Sequence, residues 1–544
     1  KGQFPDPDRR VWINPEVCEG CGDCSVQSNC VSIVPLDTEL GRKRQIDQSS
    51  CNKDYSCIEG FCPSFVTVHG GRIRKADTTV LKSAPDPLEG LPDPQVASLD
   101  HGWASIIDGV GGTGVVTIGA ILGMAAHLEG KGCGMIDMAG LAQKGGAVFS
   151  HVRIASKPED IHAIRISAGK ADLVLGCDLV VSGSRKVLTS VREGETAFLV
   201  NTSEVMPGDF TRNADFSLPT ERLKRAIVKA AGADRTSFFN ATLAATRLFG
   251  NAIAANMFML GMASQKGALP LTPASVEEAI RLNGQAVTMN IAAFRWGRKA
   301  AHDPQSVEAL MSDQLGAAEP AAKETVADII DRRAEFLRGY QNKAWAVKYR
   351  ETLQPLVEAE VLACGEAGPV SEAAARSLFK LMAIKDEYEV ARLYSDGSFK
   401  RQLGRQFESY DKLEYHMAPP VLRRKDANGH PKKTSLGGAM RVLFPVLATL
   451  KVLRGTPLDM FGYSDERRME REILAVFVDE LKQICVALRR DNSDQISEFL
   501  AYPMKIKGYG HVKKRNFKSI FPEKEKSKKS ILEGVSRPAS IAAE

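Results

Sequence analysis

Long apolar runs are missing from this chain of 544 residues. No stretch approaches the roughly 18 consecutive apolar residues that a membrane-spanning helix needs, and no signal-peptide pattern precedes the first cysteines. An excess of one charge is missing too, because 72 Lys and Arg stand against 66 Asp and Glu and leave a net +6. We therefore expect a protein of the reducing cytoplasm whose partners are neither membranes nor nucleic acids.

Several catalytic signatures are also absent. The nine histidines form no HxxxH or HExxH pattern, and His151, in a strand-like run, is expected to be packed or hydrogen-bonded rather than catalytic. There is no GxxxxGK[ST] loop, which excludes a P-loop nucleotide site. The sequence therefore points away from zinc hydrolases and P-loop enzymes.

Cysteine, by contrast, is concentrated near the start. Seven of the eleven cysteines lie in CEGCGDCSVQSNC and CNKDYSCIEGFCP. Cys18, Cys21 and Cys24 recur at every third position, so a short loop can hold three thiolates around one iron–sulfur cube. In bacterial ferredoxins the remaining ligand is a remote Cys followed by Pro, and Cys62–Pro63 supplies that feature.

Crosswise pairing of the two runs predicts two clusters. The first is a [4Fe–4S] cluster on Cys18, Cys21, Cys24 and Cys62. The second is an altered site, a labile four-iron or a three-iron cluster, on Cys30, Cys51 and Cys57, with Asp54 as an oxygen ligand or one iron site left open. A disulfide framework is disfavoured by the odd number of clustered cysteines. Zinc is disfavoured because CxxCxxC crowds three thiolates where zinc sites use paired CxxC.

Composition and periodicity divide the chain into successive parts. They are a ferredoxin-like module (1–80), a Pro/Asp/Gly-rich linker (81–100), a region of strands alternating with helices (101–299), a helical extension (300–512) and a flexible charged tail (513–544). Short apolar strands alternating with helices predict a parallel sheet covered on both faces. The predicted fold is multidomain α/β, with a ferredoxin-like α+β iron–sulfur module, a Rossmann-like parallel-sheet domain and an α-helical C-terminal extension.

A glycine-rich turn opens the second module. Gly109, Gly111 and Gly114 fit GxGxxG after a strand and before a helix, and Asp137 follows at the end of the next strand. This pattern is typical of a dinucleotide site, with the pyrophosphate on the helix N-terminus and the acid on a ribose. On these residues alone, a cluster-containing NAD or FAD oxidoreductase is the leading hypothesis. The alternative is that the glycines only permit tight strand–helix packing.

A family resemblance changes that hypothesis. GVGGTGVVTIGAILGMAAHLEGKG followed by GLAQKGGAVFSHVRI resembles the gamma domain of the 2-oxoacid:ferredoxin oxidoreductases, and NMFMLGMASQKGALPLTPASVEEAI is similar to the end of that domain. The extension, with YQNKAWAVKYR, KDEYEVARLY and LRGTPLDMFGY, gives a domain order that resembles the fused bacterial indolepyruvate ferredoxin oxidoreductases. The resemblance covers nearly all of the chain except the tail.

The resemblance implies a reaction of the EC 1.2.7 type. An aryl 2-oxoacid is decarboxylated on thiamine diphosphate, its acyl group passes to coenzyme A, and electrons pass through [4Fe–4S] clusters to ferredoxin. The glycine loop then becomes an anion cradle formed by Gly111, Gly112, Thr113 and Gly114. Gln143 and Lys144 are candidates for facing the cofactor or the acyl-carrier phosphates.

The thiamine site is not visible in this sequence. No GDG with a following Asn-containing stretch occurs, so thiamine diphosphate and Mg are expected on an upstream polypeptide or a separate subunit, and we assign no catalytic residue here. The chain opens at Lys1 without an initiator Met, and we expect it to be the later part of a longer polypeptide. We also expect a homo-oligomer. A non-catalytic electron-transfer subunit stays open as an alternative.

Overall fold

Two compact units make up the structure. The computed structural model describes residues 7–30, 32–74, 86–140, 146–206, 208–211, 213–313, 324–418 and 432–535. The first unit combines Lys1–Arg74 with Glu319–Glu544, and the second is Lys75–Ala318. The predicted ferredoxin-like module and the predicted helical extension therefore belong to one unit, assembled from two separated segments. The second unit is continuous in sequence.

The first unit contains short strands from both of its segments and long helices from the second. Its N-terminal elements are β1 (Arg9–Ile13), α1 (Asp23–Ser28), β2 (Ile33–Thr38), β3 (Gly41–Ile46), β4 (Phe65–His69) and β5 (Arg72–Ile73). Its C-terminal strands are β12 (Phe407–Ser409), β13 (Lys412–Met417) and β14 (Thr434–Leu436). Its C-terminal helices are α11 (Val326–Tyr340), α12 (Lys343–Cys364), α13 (Pro369–Met382), α14 (Glu387–Ser395), α15 (Ser398–Gln406), α16 (Met440–Thr449), α17 (Asp465–Ala487), α18 (Ser493–Leu500), α19 (Tyr502–Lys505) and α20 (Gly510–Val535).

One sheet joins the two segments of this unit. Its strand order is β1-β4-β13-β14 and its pairings are antiparallel, with Arg9 opposite His69 and Tyr415 opposite Val66. A second antiparallel contact pairs β12 with β5. The cysteine-rich segment therefore completes its sheet with strands from the far end of the chain.

The prediction of a flexible tail from residue 513 is wrong as far as residue 535. Helix α20 runs through this region, and Val512 and Ile531 are buried. The charge that suggested disorder is partly neutralised inside the fold, since Lys524 Nζ lies 2.6 Å from the Glu480 carboxylate. Buried ionic groups are retained when they are paired.

The second unit alternates strands and helices, as predicted. Its strands are β6 (Trp103–Val110), β7 (Gly132–Ala139), β8 (Ala147–Ala155), β9 (Leu173–Gly176), β10 (Ala197–Asn201) and β11 (Thr236–Phe239). Its helices are α2 (Val115–Leu128), α3 (Leu179–Ser182), α4 (Arg185–Leu188), α5 (Thr220–Ala231), α6 (Ala241–Phe249), α7 (Ala255–Gln265), α8 (Pro273–Asn283), α9 (Val287–His302) and α10 (Pro304–Asp313). The described part of the predicted linker, 86–100, forms neither helix nor strand.

The sheet of the second unit has the order β11-β10-β9-β6-β8-β7. The pairs β11–β10, β10–β9 and β9–β6 are parallel, which confirms a parallel-sheet domain. Strand β8, however, runs antiparallel between β6 and β7. Both faces are covered, because Ile107 lies in one apolar cluster and Ile106 in another on the opposite face. In the described ranges no helix is long and apolar enough to cross a bilayer.

Candidate functional site

Four of the seven clustered cysteines lie around α1. Cys18 and Cys21 precede this helix, and Cys24 is its second residue. Cys62 is brought beside them because Phe61 N donates to Asp23 Oδ2 over 2.8 Å, which ties its loop to the start of α1. The approach is close, since a Cβ on Gly60 would lie 2.6 Å from Cys24 Cα.

The thiols of this first set influence one another electrostatically. Burial raises the pKa of the Cys24 thiol well above its usual range, and the neighbouring Cys62, Cys21 and Cys18 raise it further. Burial also raises the pKa of Cys21, with Cys62 as the next contributor. Cys18, Cys21, Cys24 and Cys62 are therefore neighbours in the fold, and their role as cluster ligands stays a prediction.

The remaining three clustered cysteines form a second set. Burial raises the pKa of Cys57 to about 12, and Cys30, Cys51 and Asp54 add to the effect. Burial raises the pKa of Cys51 too, with Cys30 and Asp54 among its neighbours. Cys30, Cys51 and Cys57 thus neighbour one another, and they pack in the same apolar cluster as Cys18 and Cys24, so the division into two cluster sites stays a prediction.

Asp54 lies beside the second set but uses its carboxylate locally. Oδ1 accepts hydrogen bonds from Ser56 N (3.1 Å) and Ser56 Oγ (2.8 Å), and Oδ2 accepts one from Asn52 Nδ2 (3.0 Å). These bonds hold the turn that leads into the 3₁₀ helix Ser56–Glu59, which carries Cys57. Its role as a ligand stays a prediction.

Unusual backbone conformations are concentrated in the two cysteine loops. Asn29, Lys53 and Tyr55 have φ of +48°, +57° and +62°, and Gly20 and Gly22 are also left-handed. Such residues cost free energy and persist where the surroundings hold them, often at functional sites. The loops are thus held in shapes that curl the chain around each thiol set.

Donor chemistry suits an iron–sulfur cluster on the first set. All eleven cysteines are free thiols. Across the ranges that the structure covers, no three His, Cys, Asp or Glu side chains converge on a single ion. A four-iron cube does not need such convergence, because each Cys binds a different iron atom.

A group of lysines surrounds Glu19, which stands next to Cys18 in the first set. Burial would raise the pKa of Glu19, yet Lys385, Lys43, Lys380 and Lys513 together hold it well below its usual range. Lys385 Nζ is 2.9 Å from Glu19 Oε1 and also donates to Cys18 O. Lys513 is also paired with Glu470, and burial lowers the pKa of Lys380 to about 7 and that of Lys43 to about 8, so Lys385 is the cation that directly contacts the backbone of the first set.

The C-terminal segment contributes further contacts to the first set. Tyr509 OH donates to Val17 O over 2.6 Å, and Tyr394 OH donates to Pro63 O over 2.7 Å. Lys433 Nζ donates to Gly60 O. No local sequence signal could have found these residues, because each lies more than 300 positions from its partner.

The glycine loop of the second unit links β6 to α2. Gly111 N donates to Gly146 O over 2.8 Å, and Asn256 Nδ2 donates to Thr113 O over 2.7 Å. Gly112 and Gly114 have φ of +86° and +93°, and a Cβ on Gly112 would meet open space. The exposed turn at Gly112 and Thr113 leaves the N-terminus of α2 accessible to an anion.

Three other residues of the predicted second-unit site are not seen beside this loop. Gln143 and Lys144 lie outside the described residues. Asp137 is on β7, which β8 separates from β6, and it is exposed. In dinucleotide sites the acid that binds the ribose follows the neighbouring strand, so this arrangement disfavours the NAD or FAD hypothesis.

Sequence reasoning missed a buried acidic pair beside the glycine loop. Asp108 Oδ1 accepts from Ser182 Oγ over 2.7 Å, and Asp178 Oδ1 accepts from Val181 N over 2.8 Å. Burial raises the pKa of Asp108 well above its usual range, and Asp178 adds to this. Asp108 lies near the carboxyl end of β6, and Asp178 follows the carboxyl end of β9. Each is an acidic residue within an otherwise apolar run, and this interruption of the run is the sequence signal that could have revealed them.

Two family models match the chain. One, described as pyruvate ferredoxin/flavodoxin oxidoreductase, matches residues 104–300. The other, described as a family of unknown function (DUF6537), matches residues 326–524.

Similar proteins carry related names. The indolepyruvate oxidoreductase subunit IorB of Methanothermobacter thermautotrophicus is 31% identical over 195 residues, which is 36% of this chain and 94% of that protein. Its counterpart in Pyrococcus horikoshii is 28% identical over 36% of this chain and 95% of its own length. The solved gamma subunit of a keto/oxoacid ferredoxin oxidoreductase from Geobacter sulfurreducens is 22% identical, with 37% of this chain and 98% of that one covered, at a TM-score of 0.27.

Proposed function

The chain belongs to the family of indolepyruvate ferredoxin oxidoreductase-type subunits, and we propose that it is the electron-transfer and gamma-domain part of an aryl 2-oxoacid:ferredoxin oxidoreductase. The overall reaction converts an arylpyruvate, coenzyme A and oxidised ferredoxin into arylacetyl-coenzyme A, carbon dioxide and reduced ferredoxin. The observation that supports this proposal is the convergence of two distant cysteine runs in the first unit, where the loop that carries Cys62 packs against Cys24.

Each thiol set has a proposed role. Cys18, Cys21, Cys24 and Cys62 hold a [4Fe–4S] cluster, and Cys30, Cys51 and Cys57, with Asp54, hold a second, altered cluster. When bound, such clusters supply one-electron transfer at potentials set by their surroundings. The chain's own part is to bury the thiols, shape the two loops and place lysines next to the first set.

The second unit encloses part of the substrate in this proposal. Gly111, Gly112, Thr113 and Gly114, at the N-terminus of α2, receive a phosphate of coenzyme A, because the positive end of the helix dipole favours an anion there. Gln143 and Lys144 face the same phosphates or the cofactor. Thiamine diphosphate and Mg are bound by another polypeptide or by thiamine-binding domains of the same enzyme, ferredoxin accepts the electrons, and the assembly is a cytoplasmic homo-oligomer.

An anaerobic viologen-reduction assay on the natively purified protein tests the reaction. Indolepyruvate, phenylpyruvate and pyruvate are compared, each with and without coenzyme A. We expect reduction with the aryl acids that depends on coenzyme A. Turnover on NADH, with none on any oxoacid, contradicts the proposal and restores the dinucleotide hypothesis. Turnover only after a second polypeptide is added supports an electron-transfer role for this chain taken alone.

Cysteine variants test the two cluster sets separately. Cys21→Ser should abolish the spectroscopic signal of one cluster, and Cys51→Ser that of the other, with iron content falling by about half in each case. Cys133, in β7, belongs to neither set, so Cys133→Ser is the matched control and should keep both signals. Wild-type protein with only about four irons per chain would mean that the second set is empty.

A further inference from the structure

One lysine from the C-terminal segment enters the cysteine region. Lys433 immediately precedes β14, which pairs with β13, and β13 in turn pairs with β4. This sheet brings Lys433 to the start of β4, where its Nζ donates to Gly60 O and lies 4.9 Å from the centroid of the Phe65 ring. The side chain is thus held by both a hydrogen bond and an aromatic contact.

The ammonium group of Lys433 interacts electrostatically with thiols of both sets. Its electrostatic neighbours, in decreasing order of strength, are Cys62, Cys24, Glu59 and Cys57. The first two belong to the first thiol set, and Cys57 belongs to the second. Glu59 is exposed, so water and salt screen its charge, whereas Cys24 is buried.

A positive charge in this position favours the reduced form of an adjacent cluster. Reduction adds one negative charge to the cluster, and a nearby cation stabilises the added charge more strongly where water is excluded. Lys433 lies nearer the first set, because the carbonyl that it contacts belongs to Gly60, which packs against Cys24 and stands two residues before Cys62. The hydrogen bond from Lys433 Nζ to Gly60 O fixes the distance between the ammonium group and the first thiol set.

We propose that Lys433 is a positioning residue that raises the reduction potential of the cluster on Cys18, Cys21, Cys24 and Cys62 relative to the cluster on Cys30, Cys51 and Cys57. This inference rests on the proposed cluster ligation. It also assigns a task to the region that matches the family of unknown function, since residues 326–524 include Lys433. That region completes the electrostatic environment of the cluster module.

The test is a redox titration of the full chain, followed by electron paramagnetic resonance. Lys433→Met should move the midpoint potential of the first cluster to more negative values, by about tenfold or more in the reduction equilibrium, which is about 59 mV for a one-electron couple. The second cluster should shift less. Lys433→Arg, which keeps the charge, should stay near the wild-type potential.

Lys432→Met is the matched control, because this neighbouring lysine is exposed. Iron and sulfide are measured for every variant. If Lys433→Met loses the cluster, the titration is repeated with Lys433→Gln, which keeps a donor for Gly60 O but not the charge. An unchanged potential in a fully loaded neutral variant overturns the inference. Wild-type protein without clusters overturns the cluster ligation of the proposed function instead.

Discussion

Gly60 shows how one missing side chain permits a thiol set to form. A Cβ at this position would lie 2.6 Å from Cys24 Cα and 2.8 Å from Cys24 N, which are backbone atoms that cannot turn aside. The φ of Gly60 is −54°, so the requirement is for space and not for a left-handed conformation. The loop that carries Cys62 can therefore approach α1 only without a side chain here.

We predict that Gly60→Ala loses most of the iron of the first cluster. The added methyl group must push the Cys62 loop away from α1 and so separates the four thiols. Gly437→Ala is the control, because a Cβ there meets nothing within 4 Å. Iron and sulfide analysis of both purified variants checks this, and equal contents would contradict the packing argument.

The buried His151 should make the stability of the second unit depend on pH. Burial lowers the pKa of His151 to about 4, with Lys186, Arg165 and Arg153 adding to the effect, and its Nδ1 accepts from Ile166 N over 3.1 Å. In the unfolded chain His151 binds a proton near pH 6.5, whereas in the folded chain it stays neutral at that pH. The stabilisation is therefore complete above pH 6.5 and is lost as the pH falls towards 4.

We expect His151→Asn to weaken this pH dependence. The Asn side chain can keep an acceptor for Ile166 N but does not titrate. Between pH 7 and pH 5 the wild-type second unit should lose about 2 kcal/mol more stability than the variant. Urea unfolding at both pH values measures the free energy of unfolding of each protein. Equal losses of stability in wild type and variant would contradict the prediction.

At the residue scale, the sequence predicts what local spacing determines. Cys18, Cys21 and Cys24 are recognisable by their three-residue period, and the structure gathers them with Cys62. Lys433 could not be predicted, because its hydrogen-bond partner lies 373 residues away. Asp54 was predicted from its position in the cysteine run, yet hydrogen bonds to Asn52 and Ser56 occupy its carboxylate.

Among the elements, α20 shows why charge composition alone mispredicts a tail. Lysines that look solvated in the sequence meet buried acids in the fold. Glu480 is nearly inaccessible, and it accepts from Tyr502 OH and contacts both Lys524 Nζ and Lys528 Nζ. Strand β8 shows a similar limit of sequence-based prediction, because an apolar sequence pattern predicts a strand but not whether it runs parallel or antiparallel to its neighbours.

We predict that Lys524→Ala destabilises the first unit by about 2 kcal/mol, below the 3–5 kcal/mol typical of a broken buried pair because Lys528 remains near Glu480. The exposed Lys526 on the same helix is the control, and Lys526→Ala should stay within about 0.5 kcal/mol of wild type. Chemical unfolding followed by circular dichroism compares them. A similar small effect for both would show that α20 is not anchored through Glu480.

For the whole molecule, the division into two units makes a prediction about independence. The second unit is continuous in sequence, and it contains residues 104–300, which one family model matches by themselves. Residues 86–313 expressed alone should therefore fold, with a cooperative thermal transition and helix–strand circular dichroism. A fragment that stays unfolded would contradict this, and the full chain measured in parallel is the control.

The discontinuous first unit has a consequence for its synthesis. Strand β4 ends at His69, and its partner β13 does not begin until Lys412. At 5–20 residues per second, the ribosome needs roughly 20 to 70 seconds to supply that partner. During this interval the nascent cysteine segment has left the ribosome without the strands that complete its sheet and without Lys385 and Lys433, which contact its backbone. We therefore expect stable iron insertion only after β13 has been synthesised, so that a product truncated before Lys412 should carry thiols but no stable cluster.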